Sequence, residues 1–384
     1  MRGRVIAIDR DFAFVRTEHL DERVVNPPGA WRIGEFVDLE SHAQLAPERV
    51  PAEPYPGPGS EVMRLSRSRL ENLHARARAL ATVRRFFGER AFLEVETPLL
   101  VPSPGLEIHL DAVEAGDGFL ITSPEYSMKR LLAAGCERIY QVCKCFRANE
   151  RGSHHASEFT MIEWYRAYSN IEAIAADTEQ LVHAVCGDVA RAGVRSIDVK
   201  PPWRRIAVRA AMQEWAGMTV IGDEPAEQLA REARKAGIEV AAGLAWDDVF
   251  FTAFIARVEP ALAALDHAIL LEDWPAPLAA LARRKQGEPQ TALRFEAYVG
   301  GVELANAFDE LTDPVEQEAR FREEQAVRRA RQRPVYPIDT KLMAALAEGL
   351  PPSGGIALGF DRLVMLATGA TTIDDVQAFA GHER

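Results

Sequence analysis

The segment Cys145–Tyr165 holds an arginine, several carboxylates and a tyrosine at spacings that could form a binding site. A strand-like apolar run ends on Arg147, a polar turn follows, and a second apolar run carries Glu163 and Tyr165. An antiparallel hairpin would place four of these side chains on or near one sheet surface, namely Arg147, Glu150, Glu163 and Tyr165. The guanidinium suits a phosphate, because its planar fork meets two oxygens, and the carboxylates suit a ligand ammonium group. A surface hairpin with salt bridges explains this segment alone equally well.

A second candidate segment, 122–130, passes from a strand-like run into a helix-like run at Ser123 and Glu125. At the end of a strand, Glu125 could hold a ligand ammonium. The same segment also fits helix capping, with Ser123 or Thr122 as the N-cap and Pro124 in the first turn. The two interpretations are compatible.

Acidic residues also lie on and just beyond a later strand-like run, at Glu303 and Glu310. Together they would suit Mg²⁺, an oxygen-ligand cation that accompanies nucleoside triphosphates, although solvated acids explain them equally well. Asn306 stands three residues after Glu303, so the two side chains face opposite ways unless a bulge intervenes.

The segment Gly354–Arg362 is rich in glycine. Gly355 and Gly359 bracket small residues, which lets a flat ligand approach the backbone, and Arg362 follows at the start of a helix-like run. The chain contains neither a GxxxxGK[ST] phosphate loop nor a GxGxxG fingerprint, so a P-loop or Rossmann nucleotide site is not expected.

Composition places these segments in a globular protein. The chain has 384 residues, 47% hydrophobic and 27% charged, which is enough for one large domain and a small one. No apolar run approaches the roughly 18 residues of a membrane span, and the acidic N-terminal region does not fit a secretory signal, so a cytoplasmic location without membrane contact is expected. The four cysteines form no CxxC pair, which favours buried thiols over a metal site. The net charge of −12 argues against a broad nucleic-acid-binding face but leaves room for a local basic patch.

The chain divides into three predicted parts. Residues 1–45 form a small β-rich module, 46–65 a Pro/Gly-rich linker, and 66–384 one α+β domain. In the last part strands outnumber βαβ crossovers, so the sheet should be mainly antiparallel with helices packed against it. Helices are predicted over 68–90, 171–192, 223–236, 246–264 and 314–332. Strands are predicted over 119–123, 138–146 and 159–165, and over 291–301 and 301–308, which pair around Gly300–Gly301.

Three stretches resemble motifs 2 and 3 of class II aminoacyl-tRNA synthetases: FRANE…HHASEFTMIEWY, VELANAFDELTD and GGIALGFDRLVM. The helix that leads into VETPLL resembles motif 1. Within that class, residues 68–380 resemble the elongation factor P–lysine ligases, which are lysyl-tRNA synthetase paralogues without the anticodon-binding domain. The resemblance implies a six- or seven-stranded antiparallel sheet flanked by helices, a homodimer formed through motif 1, and formation of an aminoacyl adenylate from ATP with Mg²⁺.

The resemblance also assigns roles by position. Arg147 would hold the α-phosphate of ATP and act with Arg362 in catalysis. The nucleotide site would further contain Asn149 or Glu150, Glu303, Leu304 and Gly359, and Glu303 would also meet the Mg²⁺ ion. The amino-acid site would contain Ser123, Glu125, Tyr165 and Glu310, with Glu163 near the distal amine.

This sequence departs from its relatives at several positions. Asn149 stands where they often have an acid or a glycine. Ala156 replaces an asparagine that contacts ATP in relatives, so ATP binding would be weaker unless a neighbour such as His155 substitutes. Ser123 and Ala357 match the ligases, whereas lysyl-tRNA synthetases usually have alanine and glycine there. Relatives usually begin near the motif 1 helix, so the module at 1–45 could be the remnant of an anticodon domain.

The favoured function is activation of lysine or (R)-β-lysine and its transfer to a lysine of elongation factor P. A short lysyl-tRNA synthetase is an alternative, but about 45 residues are few for an anticodon-binding domain. The acidic chain also offers little attraction for tRNA phosphates, so tRNA is not expected as the acceptor. A catalytically silent regulatory paralogue and a ligase for a small-molecule amine are further alternatives.

Overall fold

The computed structural model describes residues 1–19, 21–45 and 67–381, so the predicted linker over 46–65 lies outside the described residues. Residues within 1–45 form a five-stranded antiparallel sheet, which we call the N-terminal sheet. Its strands are β1 (Arg2–Ile8), β2 (Phe12–Arg16), β3 (Asp21–Val25), β4 (Phe36–Asp38) and β5 (Gln44–Leu45), in the order β3-β2-β1-β4-β5. Its small core contains Val5, Ala13, Val15, Trp31 and Val37.

The remaining strands lie between residues 93 and 359. In chain order they are β6 (Leu93–Glu94), β7 (Leu100–Val101), β8 (Val113–Ala115), β9 (Gly118–Leu120), β10 (Arg138–Phe146), β11 (Glu158–Ala167), β12 (Val189–Ala192), β13 (Arg195–Asp198), β14 (Arg204–Ala207), β15 (Ile269–Pro275), β16 (Arg284–Lys285), β17 (Glu288–Val299), β18 (Val302–Asp309) and β19 (Ser353–Gly359). The central sheet has the order β14-β15-β17-β18-β19-β11-β10-β6, with β16 beside β17. Its six middle strands are antiparallel, and only the short edge strands β14 and β6 pair in parallel. This arrangement matches the predicted α+β class.

Ten α-helices surround the strands in the described part of the chain. They are α1 (Arg67–Gly88), α2 (Glu125–Ala133), α3 (Ile171–Cys186), α4 (Val208–Ala216), α5 (Ala226–Lys235), α6 (Trp246–Ala253), α7 (Glu259–Ala264), α8 (Pro314–Ala330), α9 (Thr340–Gly349) and α10 (Phe360–Thr368). A π-helical turn, Phe254–Val258, joins α6 to α7. Among these helices, none is both long enough and apolar enough to cross a membrane.

The two faces of the central sheet have different environments. Ile162 and Trp164 of β11 are fully buried in the main core, together with side chains of α1, α3 and α10. Because side chains alternate along a strand, Met161, Glu163 and Tyr165 point to the opposite face. That face forms the floor of the cavity described below.

Most predicted elements are present, with corrected boundaries. The predicted hairpin around Gly300–Gly301 is confirmed: Val299 pairs with Val302, and the glycines have φ of 59° and 87°, values that favour glycine. The predicted helix over 171–192 is too long. It ends at Cys186 because Gly187, with φ of 72°, closes it, and 189–192 then forms β12. The helix predicted over 246–264 is divided by the π-helical turn.

The cysteines are free thiols. The Sγ atoms of Cys143 and Cys145 lie 3.9 Å apart, as expected for side chains two residues apart on one face of a strand. The contact with Cys143 and the burial of Cys145 raise the pKa of the Cys145 thiol well above its usual range. A thiol with a raised pKa is a weak nucleophile and a weak metal ligand.

Candidate active site

A cavity of about 1810 Å³ lies on one face of the central sheet. Strands β11, β17, β18 and β19 contribute to its lining, as do the loop at 107–110, helix α8 and the segment around α6. Eleven of the twelve predicted site residues line it: Ser123, Glu125, Arg147, Glu150, Glu163, Tyr165, Glu303, Leu304, Glu310, Gly359 and Arg362. The twelfth, Asn149, is not among the lining residues and has a left-handed backbone with φ of 64°. Of the two alternatives at this position, Glu150 is therefore the one that faces the cavity.

The register of the strands arranges the floor in rows. Glu163 pairs with Ala357, and Ala357 pairs with Asn306, so one row crosses β11, β19 and β18. In the next row Tyr165 pairs with Gly355. The β19 residues in these rows, Gly355 and Ala357, have little or no side chain, which leaves open space between the side chains of β11 and β18.

Gly355 is required for a steric reason. A methyl group at this position would overlap the Tyr165 ring and the Glu310 carboxylate. At Gly359 a methyl group would meet nothing closer than Cδ of Arg362, at 3.4 Å. The two predicted glycines therefore differ: Gly355 makes room for two site side chains, whereas Gly359 leaves space at the start of α10.

A β-bulge in β18 settles the orientation of Glu303 and Asn306. Ala297 pairs with Ala305 and Tyr298 with Glu303, so the residue between, Leu304, is the extra one. The bulge reverses the alternation, and both Glu303 and Asn306 line the cavity. Glu310, in contrast, lies seven residues beyond Glu303, roughly 20 Å along an extended chain. The suggestion that Glu303 and Glu310 share one Mg²⁺ ion is therefore wrong.

Glu163 is buried at the acid-rich end of the cavity, with 1% of its surface exposed. Ser123 Oγ donates a hydrogen bond to its Oε2 at 2.7 Å, and the Tyr165 hydroxyl donates to its Oε1 at 2.6 Å. Burial raises the pKa of Glu163 well above its usual range, and the charge of Glu125 adds to the rise. Neither donor is charged, so a ligand ammonium would supply a cation that these two contacts lack.

Lys129 lies between the other two predicted carboxylates, although the sequence did not single it out. Its Nζ is 2.6 Å from Glu125 Oε1 and 2.6 Å from Glu310 Oε2, and its side chain is 2% exposed. Burial raises the pKa of Glu310 to about 8, with Lys129 opposing the rise and Glu125 adding to it. Burial lowers the pKa of Lys129, but the two carboxylates outweigh this and raise it. When both carboxylates are ionised they share one ammonium, which leaves one negative charge for a ligand amine.

Two further buried acids line this end. Burial raises the pKa of Glu107, and Glu125 adds to the rise. Burial likewise raises the pKa of Glu324 well above its usual range, with Glu107 adding to it. The fully buried Arg328 fixes the loop of Glu107 by donating to the carbonyl oxygens of Glu107 at 2.7 Å and of Leu110 at 2.9 Å. The acid-rich end therefore contains five glutamates.

Arg147 stands at the cationic end, just beyond β10. Its guanidinium lies 5.0 Å from the centre of the Phe159 ring, and one of its terminal nitrogens is 3.8 Å from Glu150 Oε1. Its Nε is buried and has no hydrogen-bond partner among the described residues. A buried donor without a partner is costly, and a ligand phosphate would satisfy it.

Arg362 is held at the same end by backbone oxygens. Its Nε donates to the His154 carbonyl at 3.1 Å, and one terminal nitrogen donates to the Glu303 carbonyl at 2.7 Å. These contacts orient the guanidinium without neutralising it. Burial lowers the pKa of the neighbouring His155, and the charge of Arg362 lowers it further, which favours the neutral imidazole.

An ion pair made by Asp361, the residue before Arg362, helps to fix the position of Arg362. Asp361 pairs with Arg76 of α1 and accepts a hydrogen bond from the Thr160 backbone nitrogen at 2.6 Å. Arg76 also donates to Thr160 Oγ1 at 2.8 Å and lies 4.7 Å from the centre of the Phe360 ring. This cluster joins the helix resembling motif 1 to the segments resembling motifs 2 and 3.

Glu296 is a second site residue that sequence reasoning missed. It lines the cavity, is 5% exposed, pairs with Arg294, and accepts a hydrogen bond from the Tyr298 hydroxyl at 2.6 Å. Burial raises its pKa to about 7. Arg294 also donates to Asn306 Oδ1 at 3.0 Å. The sequence signal for Glu296 was a glutamate inside an apolar strand, because an acid is seldom buried unless it has a partner.

Glu296, Glu303 and Asn306 line the cavity and bring oxygen donors of the kind that Mg²⁺ prefers. Over the described residues, no group of three or more His, Cys, Asp or Glu could hold a metal on its own. Mg²⁺ usually binds one or two carboxylates together with substrate phosphates and water, which matches this donor set. Glu303 remains the predicted protein ligand of such an ion.

The comparisons with known proteins agree with this geometry. The family described as tRNA synthetases class II (D, K and N) matches residues 60–383. The chain belongs to this class II aminoacyl-tRNA synthetase family, as its antiparallel sheet and cavity indicate.

A protein of Histophilus somni (strain 2336) named Elongation factor P--(R)-beta-lysine ligase is 37% identical over 320 residues, which cover 81% of this chain and 95% of that protein. A Salmonella dublin protein of the same name is 38% identical over 322 residues, which again cover 81% of this chain and 95% of that protein. These matches confirm the resemblance to the ligase branch, while residues 1–59 lie outside the family match.

Proposed function

We propose that this protein activates lysine or (R)-β-lysine with ATP and transfers it to a lysine of elongation factor P. The observation that carries the proposal is the division of one cavity into an acid-rich end, around Glu163 and Glu310, and a cationic end at Arg147 and Arg362. A basic amino acid fits such a cavity in one orientation, with its amines toward the glutamates and its carboxylate toward the phosphates. The names of the relatives support the same activity.

In the first step, a carboxylate oxygen of the amino acid attacks the α-phosphorus of ATP. The new O–P bond forms as the bond to pyrophosphate breaks, which leaves an aminoacyl adenylate. Arg147 and Arg362 offset the charge on the phosphates, and each preorganised donor of this kind contributes about 100- to 1,000-fold in rate. Mg²⁺, when bound, would further neutralise the phosphate oxygens. The glutamates hold the amines so that the carboxylate stays near the phosphorus.

In the second step, the neutral amine of an acceptor lysine attacks the acyl carbon. A C–N bond forms, AMP leaves, and the nitrogen loses a proton. The size of the cavity supports an acceptor that enters beside the adenylate, because about 1810 Å³ exceeds the 300–1,000 Å³ typical of sites for small ligands.

The test is ATP–pyrophosphate exchange, followed by transfer. We expect Mg²⁺-dependent exchange with lysine or (R)-β-lysine and none with neutral amino acids. Labelled substrate is then incubated with ATP, elongation factor P and total tRNA, with an elongation factor P variant that lacks the acceptor lysine as the control. Label should appear in the wild-type protein alone.

Each other outcome identifies a competitor. Label in RNA alone would make the protein a short lysyl-tRNA synthetase. Absence of exchange would favour a silent regulatory paralogue. Exchange without transfer to either acceptor would favour a ligase for a small-molecule amine.

We also propose that the protein is a homodimer in the cytoplasm, where ATP and elongation factor P are found. Leu93, Leu99 and Leu100 are 57%, 38% and 50% exposed, and they lie in the segment that resembles motif 1, through which class II enzymes pair. Sedimentation of the purified protein at micromolar concentration tests the proposal, and a monomer would contradict it.

A further inference from the structure

The N-terminal sheet has aromatic side chains on the face opposite its own core. Val5, Ala13, Val15 and Val37 are fully buried on the inner face. An antiparallel sheet with one core face usually presents polar residues on the other. On the outer face of this sheet three phenylalanines are partly exposed instead: Phe12, Phe14 and Phe36.

Arginines lie among these rings. Phe14 pairs with Arg23 across β2 and β3, and Arg4 pairs with Phe36 across β1 and β4. The Arg23 guanidinium is 4.3 Å from the centre of the Phe12 ring, and the Arg4 guanidinium is 5.0 Å from that of Phe36. The Phe12 and Phe14 rings meet edge to face at 5.3 Å. We call the set Arg4, Phe12, Phe14, Arg16, Arg23 and Phe36 the outer patch.

The outer face is locally basic although the whole chain has a net charge of −12. By the strand register it carries four arginines, Arg2, Arg4, Arg16 and Arg23, and two aspartates, Asp21 and Asp38. Asp21 is paired with Arg16 at 2.8 Å, and Asp38 lies 3.8 Å from Arg2. Over the described strands, this face therefore carries two more arginines than aspartates, and Arg4 and Arg23 lie against phenylalanine rings.

The outer patch is separate from the candidate active site. A contact between the N-terminal sheet and the rest of the chain is made by the turn after β2, where the His19 ring lies 6.1 Å from that of His74 on α1. The patch also falls outside the family match, which begins at residue 60. The synthetase fold therefore does not account for it.

We propose that the outer patch binds single-stranded nucleic acid, with bases stacked on its rings and guanidinium planes and phosphates paired with its arginines. Aromatic rings beside cations are the combination that holds unpaired strands with little sequence preference, because every base offers a flat face. A duplex hides those faces, so the patch selects single strands. This binding is independent of the proposed acyl transfer and does not make RNA the acceptor.

The test uses the full-length protein and a fluorescein-labelled 12-nucleotide oligo-U, with fluorescence anisotropy at 50 and 200 mM salt. Base stacking contributes about 1–3 kcal/mol per base, so the Phe12→Ala/Phe14→Ala variant should lose about 10-fold or more in affinity. Phe14→Leu keeps the packing volume but removes a ring, and should also weaken binding. Arg23→Gln should lower the slope of log affinity against log salt by about one.

Two controls separate specific binding from misfolding and from general attraction. Val25→Ala changes an exposed residue opposite Phe12 on the same face and should bind like the wild type. ATP–pyrophosphate exchange should be equal in all variants. The proposal is overturned if the wild type fails to bind the single strand at 50 mM salt, if a duplex of equal length binds as tightly, or if Phe14→Leu binds unchanged.

Discussion

Replacing Glu310 with glutamine tests the charge arrangement at the acid-rich end. Glu125 and Glu310 share the Lys129 ammonium, at 2.6 Å from each. Glutamine keeps the size of the side chain and removes its charge, so Lys129 then offsets Glu125 and these three side chains carry no net charge. Truncating one partner of a buried charge pair costs about 2–5 kcal/mol. At pH 8.5, where Glu310 of the wild type is mostly ionised, the KM for lysine should therefore rise by about 30-fold or more.

The assay is ATP–pyrophosphate exchange with lysine and ATP varied in turn. Glu310→Gln should leave the KM for ATP within about twofold of the wild type, because its side chain lies far from Glu303 along the chain. Glu303→Gln is the matched control on the nucleotide side, and should raise the KM for ATP and leave that for lysine unchanged. The double variant Lys129→Met/Glu310→Gln frees Glu125 again, so it should recover much of the lost lysine affinity.

Two results would refute this reasoning. A Glu310→Gln effect confined to the KM for ATP would move Glu310 to the nucleotide end. A double variant with a lysine KM as high as that of Glu310→Gln would show that Lys129 does not share its charge between the two carboxylates. Thermal melting of each variant checks that the fold is retained.

Three further predictions follow from the same geometry. Arg147→Ala and Arg362→Ala should each slow exchange by about 100- to 1,000-fold, and near-wild-type rates in both would disprove the assignment of the phosphate end. Because burial raises the pKa of Glu310 to about 8 and only its ionised form attracts an ammonium, the KM for lysine should fall as pH rises from 7 to 8.5; this slope should disappear in Glu310→Gln. Gly355→Ala should destabilise the protein by about 1–3 kcal/mol in denaturant unfolding, since its methyl group overlaps Tyr165 and Glu310, whereas the roomier Gly359→Ala should unfold close to the wild type.

Local signals in the sequence were sufficient for much of the fold. The strand over 138–146 and the hairpin at Gly300–Gly301 were predicted because apolar runs and turn residues are adjacent in the chain. Helix α4 and strand β15 were missed, since their apolar residues pack against distant partners in a second core cluster. The N-terminal sheet contains β3 and β5, which are short and polar and carry little periodic signal.

In the candidate site too, some residues could be predicted from the sequence, whereas other contacts form only when distant segments fold together. The resemblance to known motifs led to Arg147, Glu163 and Arg362, which the structure brings to one cavity. Lys129 follows Glu125 by one helical turn, so its contact with Glu125 could be predicted from the i, i+4 spacing. Its second partner, Glu310, is distant in sequence and comes close only through folding. The bulge at Leu304 likewise depends on how β17 and β18 pair.

The charges at the acid-rich end explain how it can distinguish amino acids by their number of amines. Burial raises the pKa of Glu163 well above its usual range, so its ionised form is disfavoured unless a cation lies beside it. Once Glu310 is ionised, Glu125, Glu310 and Lys129 together carry one negative charge, which can hold one ammonium. A second ammonium near Glu163 would make its ionisation favourable, because a buried carboxylate is stable only beside a cation. A dibasic amino acid can satisfy both positions, whereas an amino acid with a neutral side chain brings no cation to Glu163 and forms one charged contact fewer.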